Sequence, residues 1–236
     1  MAKAKKQNQN EDQDFDEEHQ PLAQRIRGEP KRVIIVLERA CLEVVKSKKG
    51  YDLLTCNPNH LGLLKKMNRE YTNVRPDIVH QTLMTLLDSP LNKSGNLQVY
   101  IHTTKNALIE VSPHLRIPRQ FNRFCGLMVQ LLHKLKIRAA GENKTLLKVI
   151  KNPITRHLPV GCRKIGTSVK GRLIDAHDLV PTLPEEPVCF VFGSHASGPV
   201  EADYVEETYS FSKYPLSASV AVSKITNAYE RHLGIL

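Results

Sequence analysis

"RVIIVLE" (residues 32–38) and "PVCFVFG" (residues 187–193) each run five apolar residues in succession. A strand with one wet face alternates apolar and polar side chains. A continuous apolar run instead marks a strand covered on both faces, the usual state of strands in a parallel sheet. Outward from these two runs, strand and helix signals alternate. "RPDIVHQTLMTLLDSP" (75–90) reads as a helix opened by Pro76 and Asp77 and stopped by Pro90. "LQVYIHT" and "ALIEV" read as two strands joined by a polar turn. "CLEVVKSKKGYDLL" and "HLGLLKKMNREY" read as helical or mixed, and "PITRHLPVGCRKIGTS" reads as loop. "ETYSFSKYPLSASVAVSKITNAYER" gives a short strand, a Tyr-Pro turn and a final helix. The expected class is therefore α/β with a mostly parallel sheet.

The chain has 236 residues, 41% of them apolar, and a formal charge of +10. Its first 18 residues hold three Lys against six Asp or Glu, so the remainder carries 31 basic and 18 acidic residues, or +13. Residues 1–29 are expected to be a disordered acidic and polar tail. The basic remainder favours a polyanion such as RNA or DNA. No basic amphipathic helix with a broad apolar face points to a membrane surface. No apolar run approaches the roughly 18–20 residues that span a bilayer. Five scattered cysteines (41, 56, 125, 162 and 189) include no C-x-x-C and read as reduced intracellular thiols. Ten histidines include no H-x-x-x-H pair, so no zinc site is expected.

The basic character concentrates in "RIPRQFNRF" (116–124). Pro118 can open a helix that then runs to about Arg138 without another proline. At about 100° per residue, Phe121, Phe124, Met128, Leu131 and Leu135 fall on one core-facing stripe. Arg119 and Arg123 lie about 40° apart on nearly the opposite face, with Arg116 in the preceding loop. Such a row can be a merely solvated face. Against that, no Asp or Glu occurs between Arg116 and Arg138, so nothing local neutralises it. Arginines free of carboxylates suit phosphate, which they grip with two N–H groups at once.

Glycines gather late in the chain: Gly166 in "GTS" closes one loop, Gly193 ends the second apolar run, and Gly198 closes "GSHASG". Ligands in open α/β sheets sit beyond the carboxyl ends of strands, where glycine allows close backbone approach. Plain turn glycines fit the spacing as well. "RPD" sets Arg75 and Asp77 around a rigid proline, either as a salt bridge with a capping aspartate or as an arginine held for a site.

"RPDIVHQTLMTLLDSPLN", "LQVYIHT", "RIPRQFNRFCGLMVQLLHKL", "LLKVIKNP", "PVGCRKIGTS" and "YPLSA" together closely resemble the ribosome-biogenesis pseudouridine-N1-methyltransferase family of the SPOUT class. The match runs from about Arg32 to the C-terminus. It implies a SPOUT-type α/β knot over residues 30–236, with a mostly parallel sheet, a C-terminal trefoil knot and family-specific insertions. Residues 41–71 form an insertion that matches less well, and about 160–236 the cofactor-binding knot region. The family acts as a homodimer in small ribosomal subunit assembly, with other assembly factors as partners. Together with "KAKK" (3–6) that role implies the nucleus and nucleolus.

By the same resemblance, S-adenosyl-L-methionine is the cofactor, lined by Thr167, Gly193, Gly198, Phe211, Ser212, Lys213, Tyr214, Pro215 and Leu216. Arg75, Arg116, Arg119 and Arg123 contact the rRNA. Arg75 and Asp77 form the catalytic pair, Asp77 steadying Arg75. "GSHASG" departs from the more apolar family loop but keeps both glycines. The expected reaction is methylation of N1 of a pseudouridine in small-subunit rRNA. The alternative is a pre-rRNA-binding assembly factor without catalysis. A DNA-binding regulator fits poorly, since no helix-turn-helix or zinc-finger pattern occurs.

Overall fold

The computed structural model describes residues 33–236 except 48, 49, 142, 199 and 201. The acidic tail and "KAKK" lie outside these residues. Ten strands are described: β1 (Val33–Ala40), β2 (Val44–Ser47), β3 (Gly50–Leu53), β4 (Leu97–Thr103), β5 (Leu108–Val111), β6 (Lys136–Arg138), β7 (Thr145–Ile150), β8 (Arg163–Leu173), β9 (Val188–Gly193) and β10 (Glu207–Ser210). The α-helices are α1 (Leu61–Lys66), α2 (Pro76–Asp88), α3 (Pro90–Lys93), α4 (Phe121–Lys134), α5 (Ala176–Leu179) and α6 (Ala218–Leu233).

Eight strands form one sheet in the order β10-β8-β9-β1-β4-β5-β7-β6. The first five run parallel and the last three pair antiparallel. The two apolar runs lie side by side at its centre as β1 and β9, with Val36 opposite Val191. Their continuous apolarity follows from burial on both faces. Val33, Ile35, Leu37, Phe190 and Phe192 pack with Leu83 and Leu86 of α2, Phe124 and Met128 of α4, and Val222 and Ile225 of α6. Ile34, Val36, Cys189 and Val191 face the other way, against Tyr100, Leu108, Ile154 and Leu158. Helices thus cover one face and irregular chain much of the other.

Four expectations change. "CLEVVKSKKGYDLL" forms the antiparallel β2–β3 hairpin, not a helix; its valines suit a pleated surface and Gly50, at φ 128°, supplies the turn. "KIGTS" is not loop but part of the eleven-residue β8, paired with β9 and β10. The arginine helix begins at Phe121, not Pro118, because Gln120 is extended and the Pro118 carbonyl accepts from His80 Nε2 at 2.7 Å. Arg119 therefore sits in the lead-in loop and only Arg123 is helical. Leu135 leaves the core stripe: it adopts a left-handed φ of 60° as the helix ends and is 55% exposed, while its carbonyl accepts from Val149.

The pairing of β8 with β10 jumps from Thr208 opposite Gly166 to Tyr209 opposite Arg172. At this register shift Gly171 has no room for a side chain. A Cβ there would lie 2.6 Å from the Tyr209 carbonyl carbon and 2.9 Å from that of Thr208. Backbone cannot rotate away as a side-chain tip can, so Gly171→Ala should lower stability by about 1–3 kcal/mol. Urea unfolding checks this, and an unchanged midpoint would mean that the two strands can move apart freely there.

Candidate active site

A cleft of about 650 Å³ opens where three separated segments meet the start of α2. One wall is Thr167–Lys170 of β8. The second is the turn after β9, including Gly193, His195 and Gly198. The third is the turn between β10 and α6, including Phe211, Ser212, Tyr214 and Leu216. Arg75, Ile78 and Thr82 close it from the helical side. Seven of the nine expected cofactor residues thus share one cleft: Thr167, Gly193, Gly198, Phe211, Ser212, Tyr214 and Leu216. Lys213 and Pro215 belong to the same turn but do not form its wall.

Each segment is fixed locally. The Thr167 hydroxyl donates to the Val191 carbonyl at 3.0 Å, tying β8 to β9. In the last turn Ser210 Oγ donates to the Ser212 carbonyl at 2.8 Å, and the Tyr214 N–H donates to Ser212 Oγ at 3.0 Å. Ser217 then caps α6. Gly193 is required by closeness: a Cβ there would lie 2.7 Å from Val200 Cγ2 and 3.0 Å from His195 Cε1. Gly198 is required by conformation, with φ 104°.

Arg75 and Asp77 meet as the sequence suggested. Arg75 Nε donates to both Asp77 oxygens, at 2.8 and 3.0 Å, and Nη2 donates to Oδ2 at 2.7 Å. The hydrogen bonds to Asp77 raise the pKa of the guanidinium further, so it stays charged. One fork edge is spent on Asp77, and the residue still lines the cleft.

Arg116, Arg119 and Arg123 do not line the cleft. They are exposed around the start of α4. His80 links the two regions. It extends from α2, bonds the Pro118 carbonyl, and packs against Phe121 and Phe124 at ring separations of 5.6 and 4.7 Å. The phenylalanines among the arginines thus anchor a basic loop to the helix that carries Arg75.

Two features escaped sequence reasoning. His195 stands inside the glycine turn; Nε2 donates to the Gly198 carbonyl at 3.2 Å. Burial, then the charge of Arg39, lowers its pKa, so the ring is held neutral. Its Nδ1 is buried without a hydrogen-bond partner among the described residues. The histidine of "GSHASG" was the available signal. The second feature is Glu38, at the end of β1. It accepts from His102 Nδ1 at 2.8 Å and from the Tyr204 hydroxyl at 2.6 Å. Its backbone carbonyl accepts from Ser194, at the base of the glycine turn. Burial alone would raise the Glu38 pKa, but the bonds from His102 and Tyr204 hold it low, and the bond to Glu38 raises His102. No spacing joins residues 38, 102 and 204 in advance.

Residues 35–230 match the model of the EMG1/NEP1 methyltransferase family. The chain is 55% identical over 207 residues to ribosomal RNA small subunit methyltransferase NEP1 of Mus musculus, covering 87% of this chain and 84% of that protein. It is 31% identical over 201 residues to the Nep1 of Staphylothermus marinus, covering 81% and 85%. The fold is similar to the crystal structure of Archaeoglobus fulgidus Nep1 bound to S-adenosylhomocysteine. The TM-score is 0.62 at 22% identity, over 87% of this chain and all of that one.

Proposed function

Because the chain belongs to the EMG1/NEP1 methyltransferase family, we propose that it methylates N1 of a pseudouridine in small-subunit rRNA, using S-adenosylmethionine, during small ribosomal subunit assembly in the nucleolus. The observation that carries this reading is the cleft itself. It brings an aspartate-held arginine into the same ≈650 Å³ space as an edge of β8 and two turns rich in glycine or serine. The walls fit the cofactor: Gly193 and Gly198 line the space, and Thr167, Ser168 and Ser212 border it with polar groups.

S-adenosylmethionine supplies an electrophilic methyl carbon. Pseudouridine is joined to ribose through carbon, which leaves N1 as a ring N–H; as N1 takes the methyl its proton would pass to solvent water, and S-adenosylhomocysteine would leave. Arg75, placed against a ring oxygen, stabilises the negative charge that develops there. Asp77 is spent on Arg75 through three contacts, and an arginine-paired carboxylate is a weak base. Its role is to aim the guanidinium. Arg116, Arg119 and Arg123 hold phosphates of an RNA loop while the target base is splayed into the cleft. They position, and the pocket specifies.

Titration with S-adenosylmethionine in a calorimeter tests the reading. Saturable binding at one site per chain is expected, and its absence would favour a non-catalytic RNA-binding role. For the arginines, Arg119→Ala should weaken hairpin binding and flatten the salt dependence by about one unit or less. Fluorescence anisotropy across a salt series checks this, and wild-type binding at every salt would make Arg119 only a solvated side chain.

The trefoil knot is part of the same proposal, supported by membership of the EMG1/NEP1 family. So is the homodimer. The final helix spends Val222, Ile225 and Tyr229 on the core, yet Val220 remains exposed beside the cleft-lining Ser219 and Ala221. Light scattering at micromolar concentration should give twice the chain mass of 26.7 kDa. A clean monomer would contradict the dimer.

A further inference from the structure

A second cavity, of about 580 Å³, lies between the β2–β3 hairpin, the turn that follows it and one side of α4. We infer that it seats one nucleobase of the RNA substrate, a neighbour of the nucleotide that enters the cleft. This rests on the function proposed above and adds a subsite to it.

The clearest sign is Gly126. It sits in the middle of α4 and lines the cavity. Glycine inside a helix is destabilising relative to alanine, and here nothing excuses it sterically: a Cβ would meet no atom within 4 Å. The backbone conformation is ordinary, so no turn requires it either. A missing side chain over open space suits a flat ligand that comes close to the helix backbone.

The walls describe the ligand. Tyr51 meets His133 edge-on at 4.4 Å yet is 56% exposed, and Phe121 packs on His80 yet is only half-buried, so each keeps some ring surface of the kind on which unstacked bases settle. His60 Nδ1 accepts from the Thr55 N–H at 3.2 Å, so the ring proton lies on Nε2. Asn57 spends its side-chain oxygen on the Asn59 N–H, which leaves its amide N–H groups as donors. Asp52 adds a carboxylate, an acceptor for base N–H groups that repels phosphate. Stacking surface with both donors and acceptors fits a base edge, and the carboxylate argues against a phosphate subsite.

Position names the base. Phe121, in the cavity wall, packs at a ring separation of 5.6 Å on His80 of α2, the helix that starts directly after the cleft-lining Arg75. At the other end Asn122 adjoins Arg123, one of the exposed arginines. An RNA strand held by those arginines, with its target base at Arg75, passes the mouth of this cavity.

The test uses the full chain and hairpins copied from small-subunit rRNA loops, with one pseudouridine and each flanking loop nucleotide replaced in turn by an abasic residue. Gly126→Leu fills the cavity without a backbone clash, while Gly126→Ala improves the helix and leaves most of the space. Wild type should lose about tenfold in affinity when one particular flanking base is removed. Gly126→Leu should bind the intact hairpin about tenfold more weakly and lose nothing further on that removal. Gly126→Ala should bind the intact hairpin more weakly than wild type and more tightly than Gly126→Leu, and both variants should keep wild-type affinity for S-adenosylmethionine. The subsite is overturned if Gly126→Leu binds like wild type, if its loss multiplies with the abasic loss, or if wild type methylates but ignores every abasic replacement. A wild-type chain that neither binds nor methylates any hairpin overturns the proposed function along with it.

Discussion

Arg75→Ala should slow single-turnover methylation by about 100-fold or more, while affinity for the pseudouridine hairpin falls by about tenfold at most. The asymmetry follows from where the charge acts. Removing one donor aimed at developing negative charge costs on the order of 100- to 1,000-fold in rate. Losing one of several positive contacts to RNA costs far less, since Arg116, Arg119 and Arg123 remain. Asp77 provides the internal comparison. Asp77→Asn keeps the side-chain volume but loses the charge that holds Nε and Nη2 at 2.7–3.0 Å. Its rate should fall between wild type and Arg75→Ala. If the loss of rate in Arg75→Ala were matched by an equal loss of affinity, Arg75 would be a binding residue only.

Gly193→Val should abolish measurable cofactor binding, a loss of about 100-fold or more, with hairpin affinity largely kept. The substituted Cβ would stand 2.7 Å from Val200 and 3.0 Å from His195. The turn that forms one wall of the cleft must then move, and its His195–Gly198 bond with it. Overpacking of this kind costs about 1–3 kcal/mol in stability, so circular dichroism should accompany the calorimetry. A folded variant with wild-type affinity for S-adenosylmethionine would remove Gly193 from the site.

The parts of this molecule that could be read from sequence are those whose signal is local. Two five-residue apolar runs identified β9 and β1, because a strand buried on both faces has no polar face to show. Proline at each end framed α2, and Arg75 and Asp77 met because only Pro76 separates them. The errors arose where tertiary partners overrode local preference. Pro118 is a good helix opener, but its carbonyl is committed to His80, 38 residues earlier, so the helix starts later. "KIGTS" has the composition of a loop and is a strand because β9 and β10 flank it. Of the site, the "RPD" stretch, "KIGTS", the glycines and the "YPLSA" turn carried motifs. The Glu38, His102 and Tyr204 cluster, which braces the glycine turn, spans 166 positions and leaves no local trace.

The central claim is that this cleft transfers a methyl group to the free ring nitrogen of pseudouridine. Incubating the protein with labelled S-adenosylmethionine and two hairpins, identical except for uridine or pseudouridine at one loop position, tests it most directly. Label should enter only the pseudouridine hairpin, and the modified nucleoside should co-elute with N1-methylpseudouridine after digestion. Equal label in the uridine hairpin, or none in either despite measurable cofactor binding, would contradict the account.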